Sequence, residues 1–170
     1  MANREHIALL NKGSAPWNQW RRDHPDIVPD LRVAHLRQAN LCDMDLSGAI
    51  LSIAILCGAD LTGVNLRGAD LSSANLEKAI LRGADLQGAD LRGTKFTGSD
   101  LRQADFSDVD LRSGVLYNAD LEGANLSGAN LGSTLVYNAR NLTAEQLCSV
   151  SSLWLTELHE RMSLAEEHCP

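Results

Sequence analysis

From Leu31 to Leu131 every fifth residue is leucine or phenylalanine: 21 positions, 19 of them Leu and the other two Phe96 and Phe106, with no insertion or deletion. Ala stands two residues before the large residue in 14 of the 20 places from 34 to 129, and Asp or Asn immediately before it in 15 of 21. The next residue is mostly polar, as at Arg67, Glu77, Arg92 and Arg112, and Gly follows in ten of 21 units. A period of five fits neither ordinary element. On an α-helix five residues advance about 500°, so the leucines would wind around every side. On a straight strand an odd period sends successive leucines to opposite faces. The conflict disappears if the chain turns a corner in every pentad. Each short extended piece then aims its large residue and the Ala two before it at one axis, with Asp or Asn facing out. Gly suits a corner that needs φ > 0, so Gly68, Gly88 and Gly128 are expected there. The pattern predicts a solenoid whose coils stack by strand pairing.

The unit A(D/N)Lxx, legible in GADLTGVNLRGADLSSANL and NADLEGANLSGANL, resembles the pentapeptide-repeat family, and in particular its regular arrays of cyanobacterial type. The resemblance covers residues 29–133. It implies an all-β solenoid: a right-handed β-helix of square cross-section with four pentads per coil and about five coils, roughly 25 Å long at strand spacing. Periodicity alone leaves the number of corners open. Sorted by fours, however, Gly fills the corner in four of the five units of Leu46, Leu66, Leu86, Phe106 and Leu126. It does so in one of the six units of Leu31, Leu51, Leu71, Leu91, Leu111 and Leu131.

The flanks are expected to be small helical caps, since both ends of such a rod are open. In residues 1–28, Ile7 and Leu10 share a helical face, Gly13 is a stop, and Ser14 caps a second turn holding Pro16, Trp17 and Trp20. The segment PWNQWRR resembles one that precedes some arrays of the family. Its two indoles read as a cover for the first coil, the alternative being a sugar, lipid or protein contact. In residues 134–170, Thr143 and Gln146 make a capping box. Val150, Trp154, Leu158 and Met162 form an apolar stripe, unless Ser151 and Ser152 split the helix. Leu147, Leu153 and Leu155 widen that surface, which makes a homodimer through the C-terminal helix the sharper reading.

Composition narrows the function classes. The chain is 44% hydrophobic but only 4% aromatic, so Leu and Ala fill the interior almost alone. No apolar run reaches the ~18 residues of a membrane span. The N-terminus does not read as a secretory signal. Cys42, Cys57, Cys148 and Cys169 are widely spaced, and a reduced, cytoplasmic, bacterial chain is expected. His6, His24, His35, His159 and His168 have no metal-like spacing. The carboxylates recur at one place in the repeat, which predicts hydrogen bonds to the turn backbone rather than acid–base chemistry. Enzymes on repeating scaffolds place their groups on inserted loops, and this array has none. No catalytic residue, metal or cofactor is expected.

The net charge of -7 is unevenly spread. With four pentads per coil, the side of Leu36, Leu56, Leu76, Phe96 and Leu116 sums to +2, the side of Leu31 to -1, and those of Leu41 and Leu46 to -3 each. Two function classes follow. One is a non-enzymatic scaffold or protein-interaction module. The other, raised by the resemblance, is a duplex mimic that inhibits or protects a type II topoisomerase. Direct nucleic-acid binding lacks a basic stripe. The positive side is also distinctive before its large residues, where it reads His35, Ile55, Asn75, Lys95 and Val115, with Ile53 and Tyr117 nearby. This side is expected to contact a protein partner or the chain's own N-terminal helix.

Overall fold

Leu31 donates its N–H to the Ile50 carbonyl, and the bond recurs at every fifth residue: Leu36 to Ile55, Leu41 to Asp60, Leu46 to Asn65. The residues just before pair in parallel at a spacing of 20, Asp30 with Ile50, His35 with Ile55, Asn40 with Asp60, Asp45 with Asn65. Four pentads therefore complete one rung, and the rod has four sides, named here by their first large residue: the Leu31, Leu36, Leu41 and Leu46 sides. The computed structural model describes residues 1–154. Each side contributes a single bridging residue per rung, because the chain turns again at once. Ala34 N–H returns to Leu31 O, Ala49 to Leu46 O, Ala54 to Leu51 O. The second residue after every large residue takes a left-handed φ, between +55 and +71 from Val33 to Ser133. Gly68, Gly88 and Gly128 are among these corners, at +61, +67 and +71.

The large residues and the Ala column fill the axis, all of them buried apart from the half-buried Ala39. Where Ala is replaced by a hydroxyl residue, the hydroxyl finds a carbonyl: Thr94 Oγ1 donates to Leu71 O at 2.8 Å, and Ser99 Oγ to Phe96 O at 2.7 Å. Phe96 and Phe106 meet edge to face, their centroids 5.9 Å apart. The ladder runs on past the leucine repeat, with Val115 bridged to Leu135, Asp120 to Arg140, and Val136 buried.

Among the described residues three helices flank the rod: α1 (Arg4–Leu10), α2 (Ser14–Asp23) and α3 (Ala144–Cys148). Asn3 caps α1, its side chain accepting from Glu5 and His6 N–H. Ser14 does not cap α2 as expected. Gly13 holds the N-cap place with φ +96 and no side-chain bond, because the tight reversal from α1 needs a backbone that Gly adopts freely. α3 starts on the Thr143–Gln146 capping box that the sequence predicts.

Side chains of the N-terminal segment occupy the backbone groups that a preceding rung would use. Inside the rod, Asn65 N–H bonds Met44 O, and Asn65 O accepts from Leu46. The equivalent Asp45 has no rung below it. Its N–H goes to Asn18 Oδ1 and its carbonyl accepts from Trp17 Nε1, both at 2.8 Å, while Arg21 donates to Ser47 O at 2.9 Å. At Asp30, His6 Nδ1 and Asn3 N–H do the same, both at 2.9 Å. At the other end Gln146 Nε2 reaches the Leu121 and Ala124 carbonyls. Residues 149–154 then lie along the last rung, with Asn130 bridged to Ser152 and Ser133 N–H bonded to Trp154 O. Val150 and Trp154 therefore do not continue α3 as a helical stripe. Leu158 and Met162 lie outside the described residues, as does Leu155.

Candidate protein-interaction face

Each of the fifteen Asp and Asn residues that precede a large residue accepts, through Oδ1, the N–H two residues further on. Asp30 takes Arg32, Asn65 takes Arg67, Asp70 takes Ser72, and Asp120 takes Glu122. The column is a turn lock, and its carboxylates are committed to the fold. Arginines add to this. The Arg32 side chain beside Asp30 holds that carboxyl at about 2. Asp100 is lowered by the Arg102 side chain, with Arg82 helping from the rung before. Asp90 and Asp110 are lowered chiefly by Arg92 and Arg112, and Asp60 by the Thr62 side chain. Along the two acidic sides, Arg67 pairs with Asp85 at 3.1 Å, Arg21 with Asp45 at 3.7 Å and Arg140 with Asp120 at 3.6 Å.

Among the described residues no other polar groups gather into a reacting set. His6 is buried against Asp30 N–H, His24 Nδ1 sits 3.0 Å from Trp20 O, and His35 is exposed. Among the described residues no cluster of His, Cys, Asp and Glu is placed to hold a metal ion. Cys42 and Cys57 are half-buried on different sides, and burial pushes the Cys42 thiol up.

The Leu36 side breaks the turn-lock column. Only Asn75 makes the bond, to Glu77 N–H. His35, Ile55, Lys95 and Val115 have no carboxylate to offer, and Leu135 extends the same column. His35 and Lys95 are exposed, while Ile55, Val115 and Tyr117 are half-buried, as most Asp residues of the other sides are. Tyr117 packs edge to face on Tyr137, with centroids 6.3 Å apart. α1 lies across the open end of the rod, between Asp30 and the hollow that Leu10, Asn11 and Lys12 line with Ala39, Asn40 and Cys42. Trp17 is buried under that end, and Trp20 stacks on His24 and meets His6 at a tilt. Trp154 is 73% exposed.

The residues singled out from the sequence share the face but form two groups. Ile53 and Ile55 occupy one corner. Val115 and Tyr117 lie three rungs away, about 14 Å along the axis. Sequence reasoning passed over Val33, which stands beside Ile53. Its signal was a β-branched residue at a place in the repeat that favours Gly.

The family model described as pentapeptide repeats matches residues 30–63, 64–103 and 104–139, in 8 copies. A pentapeptide repeat protein of the Arabidopsis thaliana thylakoid lumen superposes with a TM-score of 0.59, at 27% identity, over 81% of this chain and 84% of its own. A pentapeptide repeat protein from Nostoc has 28% identity over 89% of this chain and 95% of its own, with a TM-score of 0.47. HetL of Nostoc sp. strain PCC 7120, described as involved in heterocyst differentiation regulation, has 30% identity over 76% of this chain and 72% of its own, with a TM-score of 0.45. No curated protein matches.

Proposed function

Since the chain belongs to the pentapeptide-repeat family and is a right-handed quadrilateral β-helix, we propose that it is a non-enzymatic interaction module that presents its Leu36 side to a protein partner. The observation that carries this reading is the interrupted turn-lock column. On the other sides nearly every outward residue of that column is Asp or Asn fastening its own corner. On the Leu36 side His35, Ile55, Lys95 and Val115 forgo that bond, and the side is the one with a net positive charge, +2 in a chain of -7. The rod of about five coils, with α1 and α2 capping one end and residues 134–154 the other, serves as a stiff mount. A cytoplasmic location belongs to the same reading.

Purified chain, wild type or with Lys95→Glu plus Tyr117→Ala, is cross-linked in extract of the source cells, and its adducts are compared. Loss of a specific adduct in the variant, with unchanged thermal unfolding, supports the face. Identical adducts overturn it. A DNA supercoiling assay with a type II topoisomerase tests the duplex-mimic role. Duplex DNA presents about 15 charges over ~25 Å, whereas Asp45, Asp85, Asp100 and Asp120 here carry arginine partners. No inhibition and no protection are expected.

A further inference from the structure

The proposed face has an apolar focus that specifies its occupant. Val33 and Ile53 stand one above the other where the Leu31 side turns into the Leu36 side, linked through Val33 N–H to Ser52 O at 3.0 Å. Both have left-handed backbone, φ +60 and +61, and both are exposed, at 43% and 58%. Of the 21 corners ten are Gly, and the other nine carry Ser, Asn, Asp, Gln or Lys, none branched at Cβ. A β-branched residue at positive φ strains the backbone, and one left 43% or 58% exposed recovers only part of that by burial. Neither serves the stability of the rod. Ile55 continues the patch two residues beyond Ile53, and the outward residues of that stretch, Ile50, Ser52, Ile53, Ile55 and Cys57, include no charge. On the Leu36 side Arg37, Lys78 and Lys95 are exposed and Glu77 is the one carboxylate, while on the Leu31 side Ile50 is bridged between Asp30, which Arg32 pairs, and Asp70.

Resting on the interaction reading above, we infer that Val33, Ile53 and Ile55 dock an acidic amphipathic helix of a protein partner, its apolar stripe edged by Asp or Glu. Spacing favours a helix. Successive rungs are about 4.8 Å apart, close to the ~5–6 Å between helix residues three or four apart, so a helix along the rod sets one anchor on each rung. Charge favours acid at the edges, and at a screening length of about 8 Å the local face outweighs the net negative charge of the chain. A two-fold dimer through this patch would bring two positive faces together, and an anionic membrane would face the whole negative chain.

The test selects a phage-displayed library of random 16-residue peptides on the full chain. Enriched peptides are expected to carry apolar residues three or four apart flanked by Asp or Glu. They should bind Ile53→Lys at least tenfold more weakly and weaken again with Arg37→Glu plus Lys78→Glu. The double variant Val33→Gly plus Ile53→Gly should unfold at higher temperature than wild type yet bind at least tenfold more weakly. This combination separates docking from a structural role. Peptides without acidic bias, or binding indifferent to Ile53→Lys, overturn the inference. So does an Ile53-dependent dimer in sedimentation, or Ile53-dependent flotation with phosphatidylcholine–phosphatidylserine vesicles. If the peptides respond to Lys95→Glu and Tyr117→Ala but ignore Ile53→Lys, the helix site falls while the interaction face stands. If no substitution on this side matters, both fall.

Discussion

Each residue of the pentad answers one physical demand, and the demands can be tested singly. Leu81 is fully buried on the axis, and Leu81→Ala leaves a void that neighbouring rungs cannot close without breaking their ladders. A loss of roughly 2–5 kcal/mol in denaturant unfolding is expected. Asp70 locks its corner through Ser72 N–H at 2.9 Å and Ser72 Oγ at 2.6 Å. Asp70→Ala should cost about 0.5–1.5 kcal/mol, while Asp70→Asn, which keeps the acceptor, should cost much less by the same measurement. This scale was the most legible in the sequence, because a strict repeat prints each role many times. Val33 shows the limit. A single departure from the repeat carries no periodic signal; its β-branched side chain at a corner position hints at it, and its φ and exposure show that it is out of place.

At the scale of elements the rungs are uniform and the ends are particular. The capping box at Thr143 was readable because its chemistry lies within four residues. Trp17 was expected to cover the first coil, but the hydrogen bonds of Trp17, Asn18 and Arg21 were not readable, because their partners Asp45 and Ser47 lie 26 to 28 residues away, and nothing local says which backbone groups a missing rung leaves open. Leu135 and Arg140 likewise keep the ladder register after the leucines stop. The N-terminal side chains also shield a parallel edge that would otherwise template pairing. Removal of residues 1–23 is expected to leave a folded rod that associates through its exposed first rung. Sedimentation velocity at rising concentration, run side by side with the full chain, checks this: the truncated chain should associate more strongly.

For the whole molecule, acid should be a selective stress. The carboxyls of Asp30, Asp60, Asp90, Asp100 and Asp110 are all held below their ordinary value of 3.8. A lowered folded-state pKa stabilises at any pH above the unfolded value, and the contribution disappears as pH falls through the folded value. Stability should therefore be flat above about pH 5 and decline from about pH 4 toward pH 2. Asp100→Asn should flatten that decline, as read from thermal unfolding across the pH series.

The absence of any insertion from Leu31 to Leu131 makes the rod behave like a printed tape with a fixed frame. Excision of one whole rung shortens it and leaves every surface column aligned. Excision of a single pentad keeps the interior grammar intact but advances everything downstream by a quarter turn. Val115 and Tyr117 would then continue a different face from Ile53 and Ile55, with no change to a single inward residue. In such a molecule the phase of the repeat, separately from its chemistry, decides which surfaces meet the outside together.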